Sequence, residues 1–215
     1  AFANMLAMLG WNPGTTQELF SMEELIQAFS FERVNKSGAK FDPEKTKWYN
    51  QQYLRKKTNP ELAELFMPLL HQHLTDSGIN KTEFSGAFIE GVCNLVKEKS
   101  HFVQEFWESG KYFFIAPTTF DNEVIKKRWN EQSSAFIHAL IEAYSNLSIF
   151  TAVETEKAFK ETAEKMGLGA GSVMQLFRVC LSGVGGGPVL FEMVELLGKE
   201  EVDKRLKYAL SAISV

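Results

Sequence analysis

Signals that start helices recur along this sequence at intervals too short to leave room for a sheet. Ser21-Met-Glu-Glu24 has the form of a capping box, in which a serine and a glutamate three residues on satisfy each other's backbone amides. Leu25, Ile26 and Phe29 follow it at the spacing of one helical face. Asp42-Pro43 supplies an N-cap with proline at the first helical position, and Asn59-Pro60 repeats the arrangement. After Pro60, the residues Leu62, Leu65, Phe66, Leu69 and Leu70 recur at i, i+3, i+4 and i+7, as in an amphipathic helix. The same reasoning predicts helices near 82–97, 100–108, 121–145, 151–166, 172–182, 188–197 and 199–212. Alternating apolar and polar runs bounded by turn pairs are hard to find. The fold class that follows is all-α, an irregular helical array without a solenoid period or a low-complexity tract.

At 215 residues and 45% hydrophobic, the chain can bury one large core or two to three small ones, which excludes disorder as its main state. Turn-rich, charged stretches place boundaries near Lys57-Thr58 and near Pro117, dividing the chain into 1–57, 58–117 and 118–215. A net charge of −4 argues against binding nucleic acid through overall charge, so any such site must be a local patch. Two cysteines, Cys93 and Cys180, each within an apolar run, fit a reducing compartment. No apolar stretch approaches the roughly 20 residues of a membrane span, and the apolar start lacks the basic flank of a signal peptide. A soluble, cytoplasmic protein without a membrane partner is expected. The start without Met, part-way into an apolar helical pattern, suggests a fragment of something longer.

Catalytic and metal-binding patterns find little support. His71 and His73, with Asp76 nearby, resemble ligands, but residues two apart on a helix point about 200° from each other. Solvent-facing histidines are the simpler reading. His-Glu-x-x-His, Cys-x-x-Cys and Gly-x-Ser-x-Gly do not occur, and apolar surroundings favour inert thiols at both cysteines. The glycine-rich segments 167–171 and 183–187 follow helices rather than strands and lack the lysine of a phosphate loop, so they read as helix ends. The second, followed by Pro188, also leaves backbone bare enough for a flat ligand to approach.

Residues 45–57 hold five positive charges and no negative one, with aromatic residues interleaved. With Asp42 as cap, Lys45, Trp48, Gln52 and Arg55 recur near the helical period and offer cations, an amide and a ring to one ligand. The plainer alternative, favoured by composition, buries Trp48 and Tyr53 and leaves the lysines solvated. Lys97, Lys99 and His101 cluster at a helix end, where cations also offset the dipole. Lys126-Lys-Arg128 reads as a solvated face.

Several of these segments together resemble the C-terminal half of the bacterial glutamyl-tRNA synthetase family. Asn4 to Gly14, Phe20 to Phe29, Glu32 to Asp42 and Trp48 to Arg55 resemble its stem-contact region in order and spacing. Leu176 to Gly183, Gly187 to Glu192 and Leu196 to Glu200 resemble its closing helices, while residues 60–165 are similar in helical pattern only. The resemblance implies a helical stem-contact domain followed by a helix cage of two anticodon-binding domains. It also implies a catalytic domain outside these residues, using ATP and Mg²⁺, whose His-Ile-Gly-His and Lys-Met-Ser-Lys-Ser type signatures do not occur here.

By the same resemblance, Asn12, Asn35, Lys36, Lys45, Trp48 and Arg55 meet the backbone of the tRNA stem and inner corner, positioning it without reading it. Gln175, Arg178, Gly187, Pro188 and Leu190 match positions that hold the first two anticodon bases. Lys99 falls where discriminating family members read the third base with arginine; lysine keeps the charge and loses the planar fork. Gly187 stands where a threonine or serine is usual. The implied partner is glutamate tRNA, not DNA, bound by a monomer. A helical protein-interaction scaffold without RNA binding is the competing class, since acidic helical arrays lacking catalytic motifs often serve as docking surfaces.

Overall fold

The computed structural model describes residues 1–36, 38, 40–79 and 83–213. Among them run twelve α-helices: α1 (Phe2–Gly10), α2 (Met22–Ala28), α3 (Pro43–Lys56), α4 (Asn59–Asp76), α5 (Gly86–Val96), α6 (Phe106–Phe114), α7 (Asn122–Arg128), α8 (Glu131–Ser145), α9 (Ala152–Lys165), α10 (Ala170–Ser182), α11 (Leu190–Leu197) and α12 (Lys199–Ala212). Short 3₁₀ turns occupy Phe31–Arg33 and Val103–Glu105. The described residues contain no strand, only an isolated antiparallel bridge between Trp11 and Val34. No helix among them is long and apolar enough to cross a membrane.

Proximity gathers the chain into two compact units, one of Ala1–Gly86 with Lys97–Trp107 and one of Ala87–Val96 with Glu108–Val215. The turns at Lys57 and Pro117, where the sequence suggests boundaries, each lie inside a unit.

In the first unit the Ser21 capping box forms as its sequence predicts: Ser21 Oγ accepts from the Glu24 amide at 3.1 Å, and the Ser21 amide donates to Glu24 Oε2 at 2.6 Å. Of the apolar face behind it, Leu25 joins a small core with Trp11 and Phe20, while Ile26 is 72% exposed. One residue is a 100° step, and a seven-residue helix buries only a narrow stripe. Asn59 is not the cap of α4. Thr58 takes that role because it can form a reciprocal box with Glu61, which moves Pro60 to the second helical position. Leu62, Phe66, Leu70 and Leu74 are buried along α4, and the Phe66 ring meets Phe106 edge-on at 5.7 Å.

In the second unit the predicted helix 121–145 is two helices, α7 and α8. Asn130 is extended and caps α8 by accepting from the Ser133 amide at 2.9 Å, while Trp129 turns into the core. The predicted helix 100–108 is likewise displaced, its first residues forming a 3₁₀ turn and the helix running on to Phe114. Four buried rings form the centre: Phe159 lies 5.2 Å from Phe136, 5.2 Å from Phe177 and 5.5 Å from Phe191. Each such side chain contributes on the order of 1.5–3 kcal/mol by leaving water. α5 docks here through Gly91, where a methyl would stand 2.6 Å from Leu196 Cδ1. A side chain at that position would have to displace the end of the Leu196 side chain. Cys93 and Cys180 are both buried inside this core, and burial pushes the Cys180 thiol up to about 12.

Candidate nucleic-acid interface

The cationic helix of the first unit is α3. Asp42 Oδ1 accepts from the amides of Glu44 and Lys45 at 2.9 and 3.2 Å, and Pro43 starts the helix where its missing N–H costs nothing. Of the aromatic residues, Tyr49 is the buried one, while Trp48 and Tyr53 are half-buried. The plainer reading of the sequence therefore places the rings one residue out of step. Buried Asn4 accepts from the Phe20 amide at 2.6 Å and donates to the Glu18 carbonyl at 2.8 Å, which pins the 18–20 segment beneath α3. That brings Glu18 to 2.8 Å from Lys45, whose ammonium is held above its usual pKa by this bond.

Each cation of α3, and the Lys57 that caps it, has a partner. Lys47 meets Glu44 at 2.8 Å, Arg55 Nε meets Glu98 at 3.1 Å, Lys57 meets Glu61 at 3.4 Å, and Lys56 lies 5.7 Å over the Tyr53 ring. Exposed pairs of this kind are worth roughly 0–1 kcal/mol. A phosphate can replace such a carboxylate at little cost, so the helix remains able to accept a sugar-phosphate backbone. Asn12 and Asn35 lie at the Trp11–Val34 bridge, where the Asn12 amide donates to Arg33 at 3.3 Å and the Asn35 amide to Gly10 at 2.8 Å. Both asparagines and Lys36 are exposed. Lys99 is also exposed, in the turn after α5, beside Lys97, which donates to Asn59 at 2.9 Å.

The remaining candidates lie in the second unit, at the end of α10. Gly183 closes that helix in the left-handed conformation (φ 79°), and the bare loop that follows leads to α11. Arg178 is half-buried, its pKa pulled down by lost hydration, and its Nη1 is buried without a hydrogen-bond partner. A methyl placed on Gly187 (φ 150°) would stand 3.0 Å from that nitrogen and 3.0 Å from the Tyr112 hydroxyl. Gly187 thus takes a backbone conformation that side chains rarely adopt, and a methyl there would crowd both of these atoms. Gln175 Oε1 accepts from Arg128 Nε at 2.9 Å, which turns its Nε2 toward Gly185, whose added methyl would lie 3.2 Å away.

This arrangement gathers a guanidinium donor, an amide donor and exposed backbone, the groups that hydrogen-bond the edge of an unstacked base. Pro188 and Leu190 lie deeper than the other candidates. Both side chains are buried, because they anchor the loop and the first turn of α11 in the core, so they offer a base backbone groups at most. Sequence reasoning missed Tyr112 and Arg128. Arg128 is exposed, as the sequence suggests, and it also donates to Gln175 Oε1 at 2.9 Å and to the Ser172 carbonyl at 3.2 Å. His71 faces solvent, His73 stacks on Trp107 at 4.8 Å, and Gly167 and Gly183, both at positive φ, stand at the ends of α9 and α10.

Residues 61–210 match the anticodon binding domain family. The chain is 44% identical over 213 residues to glutamate–tRNA ligase of Flavobacterium johnsoniae and 41% identical over 213 residues to that of Porphyromonas gingivalis, covering 99% of this chain and 41% of each relative. A solved structure of a glutamate tRNA ligase from Elizabethkingia meningosepticum, in complex with its amino acid, superposes with a TM-score of 0.86 at 37% identity. It too is matched over 99% of this chain and 41% of its own length. The chain spans about two fifths of the length of these relatives.

Proposed function

We propose, from the premise that this chain belongs to the anticodon binding domain family, that it is the tRNA-recognition part of a glutamate–tRNA ligase. In this reading it holds glutamate tRNA, as a monomer in the cytoplasm, for a catalytic domain outside these residues that uses ATP and Mg²⁺. Residues 1–57 grip the stem backbone through Asn12, Asn35, Lys36, Lys45, Trp48 and Arg55. The helices beyond them read the anticodon, Lys99 at the third base and Gln175, Arg178 and the Gly187 backbone at the first two.

The observation that carries this reading is the buried, unpartnered Nη1 of Arg178 beside a glycine loop. An unpaired buried donor costs about 1–3 kcal/mol. A base that accepts from it recovers that cost, and a wrong base does not. The test is retention of glutamate tRNA against glutamine tRNA on the immobilised chain at about 50 and 200 mM salt. Steep salt loss for both, with glutamate tRNA held better at each, supports the reading. Weak salt response with no preference would mark a protein-docking scaffold instead.

A further inference from the structure

The second unit holds another guanidinium, which no ligand can reach. Arg205 on α12 is 3% exposed. Its Nε pairs with Glu201 at 2.7 Å, one turn back on the same helix, and its Nη1 donates to the carbonyls of Tyr112 at 2.7 Å and Leu181 at 2.8 Å. Burial pulls its pKa down and Glu201 partly opposes that, and a guanidinium keeps its charge in a protein in any case. A buried ion pair is a weak source of stability, since apolar residues of similar volume often serve as well or better. What the charge achieves is geometric: a planar fork ties α12 to α6 and to the last turn of α10.

Both tied carbonyls flank the base site. Leu181 stands two residues before Gly183, where α10 ends and the bare loop begins. Tyr112 forms the wall against which Gly187 and Arg178 pack. Ser182 continues the brace, its hydroxyl lying 2.9 Å from the Arg178 carbonyl and 3.1 Å from that of Val184. One side chain on a third helix therefore links the last turn of α10 to the wall of the loop, while the Asp121 amide separately holds the Gly183 carbonyl at 2.8 Å.

We infer that Arg205 is a positioning residue for base recognition, setting Arg178 and the 183–187 loop in place without touching RNA. This rests on the reading of Arg178 and that loop as the base site. The test compares the wild-type chain with Arg205→Met, Arg205→Lys, Glu201→Gln and Arg178→Ala. Each binds a glutamate tRNA transcript and the same transcript with its first anticodon base changed, at a temperature where circular dichroism reports a folded protein.

Arg205→Met is expected to cut the affinity ratio between the two transcripts by about 10-fold, leaving the altered transcript within about 2-fold of wild type. Arg205→Lys recovers part of the ratio, and Glu201→Gln cuts it by roughly 3-fold, because the fork is loosened but not removed. A folded Arg205→Met with the wild-type ratio, or with equal losses on both transcripts, overturns the inference. Should Arg205→Met not fold, an unchanged ratio in Glu201→Gln overturns it. If Arg178→Ala collapses the ratio while these variants preserve it, positioning alone fails. If Arg178→Ala preserves it too, the base site itself is refuted.

Discussion

Arg178 shows how much a single unmet hydrogen-bond donor can decide. Its charge is half out of water and one of its nitrogens lacks a hydrogen-bond partner in the protein, so an acceptor that reached it would offset part of the cost of burial. Arg178→Ala should therefore weaken binding to glutamate tRNA by about 10- to 100-fold while changing an unrelated tRNA little, measured by filter retention. Equal losses would contradict base reading. Cys180 makes a second prediction. Burial raises its thiol from an ordinary 9.0 to about 12, so the folded chain holds that proton more tightly than the unfolded chain does. Stability from this group is intact below pH 9 and is lost as pH rises from 9 toward 12, at about 1.4 kcal/mol per unit. Urea melts at pH 8 and 10.5 check the sign, and Cys180→Ala should flatten the difference. Gln175 and Arg178 enter from the sequence through the family resemblance alone, whereas the bare glycines after their helix read directly as backbone open to a flat ligand. Tyr112 was not readable, because it reaches the loop through a contact with residues more than sixty positions away, and no local pattern records that.

At the scale of elements, caps were readable and packing registers were less so. Ser21 and Asp42 announce their helices because capping is a contact of two to four residues. Asn130 was overlooked because it sits inside a run whose amphipathic period continues across the break, and tertiary burial of Trp129 decides the matter. Asn130→Ala should cost about 1 kcal/mol in chemical denaturation, since both the α8 amide and the Ser133 hydroxyl lose a partner. The α3 cations carry a different expectation. Lys45 gives up a weak pair with Glu18 when it meets a phosphate. Lys45→Ala should weaken all tRNAs alike, by roughly 2- to 5-fold, and lower the slope of log affinity against log salt by about one. A loss confined to glutamate tRNA would contradict the backbone role.

For the molecule as a whole, the sequence revealed helical content and not the way segments are shared. Composition shifts near Lys57 and Pro117 mark turns, yet the units are interleaved: residues 87–96 pack with 108–215, and residues 97–107 pack with the first unit. Sequence patterns report neighbours along the chain, and sharing of this kind depends on contacts such as Gly91 against Leu196. A chain beginning at Glu108 should therefore stay loosely packed, binding a hydrophobic dye and melting without cooperativity, and adding residues 86–96 as a separate peptide should sharpen the melt. A cooperative melt of the shorter chain alone would refute the dependence. The same close approach bears on biosynthesis. The 86–96 helix leaves the ribosome about a hundred residues ahead of the leucine it must receive. For a span on the order of ten seconds at ordinary elongation rates, its apolar stripe stands uncovered in the cell, within reach of chaperones.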